Sequence, residues 1–136
     1  MKVFLDTNVL VSAFATRGLC ADVLRVVLAE HELIISPQVI REFRRVLIKK
    51  LKVPADTVRQ ILGLLEGYVG STGPVTLPAL EITDQDDLHI LVSAIGAQAD
   101  VLITGDEDLL RLAREVVALR IINPRGFWDQ IQQGAR

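Results

Sequence analysis

Cysteine is all but missing from this chain of 136 residues: Cys20 stands alone. That excludes an intramolecular disulfide framework and a cysteine-rich zinc site, and leaves Cys20 as a small hydrophobe. Tryptophan is equally scarce, and a single Trp128 offers little for stacking on nucleic-acid bases. Trp128 and Phe127 therefore read as core residues of a last helix. No uninterrupted apolar run reaches the roughly 18 residues of a membrane span, and no signal peptide precedes the first apolar segment. The expectation is a cytoplasmic chain with no membrane partner. Charge of one sign is lacking too: 15 basic residues face 17 acidic ones, which gives no reason to expect a broad basic surface, although distribution matters more than the sum. There is no repeat, no low-complexity tract and no sign of a second domain. Half the residues are apolar, enough for one domain, residues 1–136, with a sizeable core.

The pattern of what is present alternates short apolar runs with helical periodicities. Val3 to Leu5 is continuously apolar, as suits a strand buried on both faces. A short helix or turn over Leu10 to Phe14 follows. Leu19, Val23, Leu24, Val27 and Leu28 recur at helical spacing and predict a helix over about 19–30. Leu33 to Ile35 predicts a second strand, and Ser36-Pro37 a helix start, with serine as N-cap and proline at the first helical position. That helix runs to about Leu51 with Val39, Ile40, Phe43 and Leu47 inward. Val58, Ile61, Leu62, Leu65 and Val69 form a further stripe, either core or a face for a second copy of the chain, and Gly70 to Pro74 is loop. Leu77 to Ile82 is a short extended piece in which Pro78 argues against a central strand. A helix over about 86–98 carries Leu88, Leu91, Val92 and Ile95 on one face. Val101 to Ile103 is a third strand, a helix follows over about 107–115, Val117 to Ile122 is a last strand, and Asn123-Pro124 opens the final helix. Strands alternating with helices predict an α/β fold, a parallel sheet of four or five short strands between helical layers.

One absence is local. Between Glu81 and Asp108 there are eight acidic residues and no lysine or arginine. Asp84, Asp86 and Asp87 open an apolar helix, and Asp106 and Asp108 follow a strand. Helix capping explains such placements individually, since negative charge is favourable at a helix N-terminus; Asp6, at the end of the first strand, admits the same reading. Their joint geometry points elsewhere. Parallel strands present their C-terminal ends on one edge, where open α/β sheets hold their ligands. Asp6 and Asp106 would face that crevice, and the helix starting at Asp86 would begin there. Glu42 sits less than two turns into the helix after the second strand. Crowded carboxylates repel unless a cation neutralises them, and hard divalent ions favour such oxygen donors.

At these residues the chain resembles the PIN-domain ribonucleases, of the kind found as toxins in bacterial toxin–antitoxin pairs. The likeness rests on VFLDTNVLV, SPQVIREFRRVL, DQDDLHILVSAIGAQADVLITGDEDLL and INPRGFW, and spans nearly the whole length. It implies a three-layer Rossmann-like fold and four catalytic, metal-holding acids at Asp6, Glu42, Asp86 and Asp106, with one or two Mg²⁺ or Mn²⁺ ions. Asn8 and Thr104 match residues that support such a cluster. Asp86 is favoured over Asp87 because it stands three residues before His89, as in the family's D-x-x-H form, but Asp87 and Asp108 remain alternatives as neighbouring ligands. His89 reads as a supporting or core residue rather than a ligand, with Ser93 one turn on. The resemblance further implies RNA cleavage leaving a 5′-phosphate, a small antitoxin as partner and a homodimer.

Acids repel an RNA backbone, so basic residues are required nearby. Arg41, Arg44, Arg45, Lys49, Lys50, Lys52 and Arg59 concentrate over two successive helices and the link between them. Arg45 and Lys49 share the side of Glu42 and, with Arg17, are candidates for phosphate contacts; a solvated helix face accounts for them equally well. Two other functions remain open: a catalytically silent scaffold, against which the presence of all four acids argues, and a nuclease for structured DNA or ribosomal RNA precursors. An aspartyl-phosphate phosphatase is disfavoured by Asp6-Thr7-Asn8 in place of a D-x-D opening.

Overall fold

The computed structural model describes residues 1–70, 73–77, 80 and 82–134. The chain opens with strand β1 (Lys2–Leu5), whose Val3, Phe4 and Leu5 are wholly buried. Asp6 ends it by capping helix α1 (Thr7–Ala15). Helix α2 (Leu19–Glu30) returns the chain to β2 (Glu32–Ile34), and Ser36 then caps α3 (Pro37–Lys49) with its hydroxyl oxygen accepting the Val39 N–H at 3.1 Å. Helix α4 (Ala55–Leu65) runs into a single 3₁₀ turn, Glu66–Tyr68. The rest comprises α5 (Gln85–Gly96), β3 (Val101–Ile103), the short α6 (Glu107–Arg111), β4 (Arg120–Ile122) and α7 (Pro124–Gln132). No helix among the described residues is long and apolar enough to cross a membrane.

All strands are parallel, in the order β2-β1-β3-β4. The chain builds outward from β1 to β2, then crosses back to lay β3 on the other side of β1. The sheet order therefore reverses between β1 and β3, and the crevice of an α/β sheet opens at such a reversal, beyond the carboxyl ends of the strands. The two paired strands are extended past their formal ends: Asp6 N–H donates to the Ile103 carbonyl at 3.0 Å and Thr104 N–H to the Ile122 carbonyl at 3.0 Å. This fixes Asp6 and Thr104 side by side on the rim.

On the outer edge of β2, Ile35 makes an isolated parallel bridge to Val69, its N–H donating to the Tyr68 carbonyl at 2.9 Å and its own carbonyl accepting from Gly70 at 3.0 Å. The stripe from Val58 to Val69 thus turns inward: Val58 and Leu65 are buried, and Val69 sits at the sheet edge. The extended piece expected over Leu77 to Ile82 falls in part on residues 78, 79 and 81, outside the described residues, as do residues 71 and 72 of the expected loop.

Several boundaries differ from expectation. The last strand is only three residues long, because the segment before it turns and leaves Val117 98% exposed. Helix α6 stops at Arg111 and gives way to turns. In α5 the buried face is Asp87, Ile90, Leu91 and Ala94 rather than Leu88, Leu91, Val92 and Ile95. That rotation brings a carboxylate inward, which apolar periodicity alone does not predict.

Helix α3 carries the clearest link from sequence to packing. Val39, Phe43 and Leu47, four residues apart, are buried to within 2%, each contributing roughly 1.5–3 kcal/mol of burial, while Arg41, Arg44, Arg45 and Lys49 stay exposed. Replacing the buried cap by Ser36→Ala is expected to cost about 1 kcal/mol, read as a lowered urea midpoint with an unchanged slope, whereas Ser36→Thr keeps most of the stability.

Candidate metal centre

Thr104 links the two strand ends. Its side chain is fully buried, its O–H donates to Asp6 Oδ2 at 2.7 Å, and its oxygen accepts the Asp106 N–H at 3.0 Å. The other Asp6 oxygen accepts the Thr7 N–H at 2.7 Å, so that the carboxylate caps α1 and still faces the rim. Asp106 caps α6 through the Asp108 N–H at 2.8 Å. From the second turn of α3, Glu42 comes inward to accept a hydrogen bond from the Thr7 hydroxyl at 3.1 Å. Asp84 caps α5, accepting the N–H groups of Asp86 at 2.8 Å and Asp87 at 3.4 Å. Capping and site-building are therefore not rival readings here. The same carboxylates do both.

A crevice of about 160 Å³ at the strand ends is lined by Asp6, Thr7, Asn8, Glu42, Asp84, Asp86, Asp87, Ile90 and Asp106. All four acids singled out in the sequence line it, with Asn8 at its exposed lip. A tighter group overlaps it: Asp87, Asp106 and Asp108 each offer an oxygen within 4.8 Å of the others. Asp106 and Asp87 belong to both sets, Asp87 from the buried side of α5, while the exposed Asp86 lines the crevice but is not in the tighter group. Asp108 is also exposed and pairs with Arg111 at 3.1 Å. An all-oxygen, all-carboxylate donor set of this density suits a hard divalent cation, and the mutual repulsion of the group is what such an ion would relieve.

The family model described as PIN domain matches residues 2–108, from the first strand through every acid of the crevice. This chain belongs to the PIN domain family. Among solved structures, a chain of VapBC2 from Rickettsia felis, in a crystal structure bound to a DNA fragment from their promoter, is similar with a TM-score of 0.61. The two are 18% identical, and the match covers 90% of this chain and 98% of that one; at that identity the likeness is one of fold. No curated protein matches the sequence.

Electrostatics in this PIN domain follow from the crowding. Burial pushes the Asp6 carboxyl above its ordinary value, opposed by the Thr104 and Thr7 hydrogen bonds and reinforced by the charges of Asp106 and Glu42. Asp87 is pushed up to about 7, first by burial, then by its hydrogen bond to Asp106 and the charges of Asp106, Asp84 and Asp108. Both shifts run the same way, because burial and crowding among like charges favour the protonated carboxyl.

Thr7 and Asp84 escape a reading of the sequence as a metal site. Thr7 carries the hydrogen bond that draws Glu42 inward, and its position inside the Asp-Thr-Asn triplet was the available signal. Asp84 stands two residues before Asp86, a capping spacing that could have been read as such. His89 is exposed rather than core, and lines a neighbouring groove with Gln38, Arg41, Glu42, Arg45 and Asp86. Lys49 lies farther along α3 in a shallow groove with Arg45, Val46 and Lys50. Arg17 is exposed in the turn between α1 and α2 and takes no part in lining the crevice.

Two outcomes follow from this geometry. An acid held above its unfolded pKa binds its proton more tightly in the folded state, so its stabilising effect is complete below about pH 4 and is lost as pH rises through about 7. The metal-free protein should accordingly melt at a lower temperature at pH 8 than at pH 5.5, and Asp87→Asn should flatten much of that slope. Thr104→Val removes two hydrogen bonds and strands a buried Asp6 oxygen; it should cost about 1–3 kcal/mol, measured by urea denaturation at pH 7.

Proposed function

We propose that this PIN domain is a metal-dependent endoribonuclease, hydrolysing RNA phosphodiester bonds as the toxin of a toxin–antitoxin pair. The observation that carries the reading is the convergence of Asp6, Glu42, Asp86 and Asp106 on one crevice, at the point where the sheet order reverses. They come from a strand end, two helices and a strand-following cap. Nothing in packing alone requires four such elements to aim carboxylates at the same space. Family membership supports the chemistry, and the likeness of fold to VapBC2 supports the toxin assignment.

In this reading Asp6, Asp86 and Asp106 hold one or two Mg²⁺ or Mn²⁺ ions, with Asp87 and Asp108 as neighbouring donors. The cation supplies Lewis acidity, making water a better nucleophile at neutral pH and offsetting charge at the attacked phosphate. The protein's own contribution is orientation. Thr104 fixes the rotamer of Asp6 and the backbone of Asp106 together. Thr7 holds one Glu42 oxygen, and the other, which Arg45 approaches at 3.8 Å, would orient the attacking water. Asn8 offers an amide at the lip. No side chain is needed as a covalent nucleophile, so hydrolysis is direct. A small antitoxin protein that covers the crevice would silence the enzyme.

The test is cleavage of a panel of RNAs and single-stranded DNAs in Mg²⁺, Mn²⁺ and EDTA, by the native protein and by Asp6→Asn. RNA cutting should require the metal and fall by about 100-fold or more in the variant, at or beyond the upper end of what disturbing a metal's supporting residues costs. Equal cutting by Asp6→Asn, or cutting that survives EDTA, would overturn the assignment. Cutting of DNA in preference to RNA would keep the catalytic centre and replace the substrate.

A further inference from the structure

Beside the acidic crevice, α3 and α5 enclose a second groove of about 470 Å³. Gln38, Arg41, Glu42 and Arg45 line it from α3, at spacings of three, four and seven residues that place them on one helix face. Asp86 and His89, three residues apart on α5, form the opposite wall. Glu42 and Asp86 also line the acidic crevice, so the two depressions share a lip. Across that lip the charge changes sign. Arg41 is exposed and makes no ion pair among the described residues. Arg45 approaches Glu42 at 3.8 Å, but both side chains are solvent-accessible, and such a pair is too weak to keep the guanidinium from another anion. The basic line continues away from the crevice, because Arg45 borders the next groove with Lys49 and Lys50. Arg41, Arg45 and Lys49 thus recur every four residues, about 6 Å apart along the helix axis, a step comparable to that between phosphates of an extended strand. No phenylalanine, tyrosine or tryptophan lines either groove, so what they offer a strand is mainly charge and hydrogen-bond donors.

We infer that this groove is a phosphate-backbone subsite: Arg41, Arg45 and His89 hold the phosphate next to the one being cleaved, with Gln38 as a neutral donor and Lys49 taking the phosphate beyond. The inference rests on the nuclease reading and adds the path of the strand, which leaves the crevice along α3. A helix face that was merely solvated would need no wall; here α5 supplies one, with His89 on it. The carboxylates of Glu42 and Asp86 keep phosphate off the lip itself, so the subsite lies beside the catalytic acids rather than over them. Reading is of phosphates, without regard to base sequence.

The test measures affinity for fluorescein-labelled single-stranded RNAs of several sequences in EDTA, over a range of salt, and cleavage kinetics in Mg²⁺. Arg41→Ala and His89→Ala should each weaken binding about three- to tenfold for every sequence, without change in melting temperature. Arg41→Lys should retain most of the affinity, because a point charge suffices. Arg44→Ala, on the apolar groove toward α4, should bind as the native protein does. The triple variant Arg41→Ala, Arg45→Ala, Lys49→Ala empties both phosphate positions and should lower the slope of log affinity against log salt by about 1.4, at roughly 0.7 per phosphate for single strands. In Mg²⁺, KM should rise with kcat within about twofold. Native affinity and salt slope in the triple variant, alongside loss of cutting by Asp6→Asn, would overturn the subsite and leave the nuclease standing. Groove-dependent binding by a protein that cuts nothing would do the reverse. A loss confined to one RNA sequence would overturn backbone reading.

Discussion

The structure depends on a buried carboxylate that had to be accommodated at the end of the central strand. Asp6 follows three wholly buried residues, where an unpartnered charge would be costly. Two donors stabilise it, the Thr7 N–H and the Thr104 hydroxyl. The second comes from the neighbouring strand and at the same time accepts from the backbone of Asp106. A single threonine thus joins β1, β3 and the start of α6. The pairing is possible only because the chain crosses back over β1 to lay β3 beside it, so the topology and the polar link require each other.

Around that link the acids divide by how they are held. Asp6, Asp84 and Asp106 are tied to backbone N–H groups at helix starts, and Glu42 is held by the Thr7 hydroxyl. Their positions do not rely on a cation. Asp87 meets another carboxylate, Asp106, instead; it is turned inward by the helix that carries it and is pushed up to about 7. The site therefore combines a preorganised frame with one carboxylate whose charge state is left to its surroundings. The sharp change from acidic crevice to basic groove across Glu42 and Asp86 follows from the same economy of elements: α3 aims one residue into the crevice and its neighbours at three- and four-residue spacing along the adjoining wall.

Legibility in the sequence tracked how local the governing interaction was. Ser36-Pro37 and Asn123-Pro124 announced their helices because capping is decided within one turn. Val3–Leu5 and Val101–Ile103 announced buried parallel strands by continuous apolarity. Val117 did not belong to a strand, although its composition fitted one, because no neighbour was available to cover it. The face of α5 was misjudged for a related reason: apolar periodicity assumes that the inward residues are apolar, and here Asp87 is among them because it meets Asp106 rather than the core. His89, a supporting or core residue by its spacing from Asp86, is exposed and not core, and faces α3 across a groove.

By itself, then, the sequence determined the parts and their chemistry: the alternation of strands and helices, the caps, the apolar stripe of α3, and a set of carboxylates with no lysine or arginine among them in the stretch that supplies most. These are matters of spacing and residue type within a few turns of chain. Only the tertiary structure decided which acids share a space, that Thr7 and Thr104 hold them, and that Asp87 rather than Asp86 lies on the buried side. It also decided that a basic face of α3 is walled by α5 into a groove. Each of these depends on contacts between residues far apart in the chain, set by strand order and helix rotation, and periodicity within a segment carries no information about the segment it will meet.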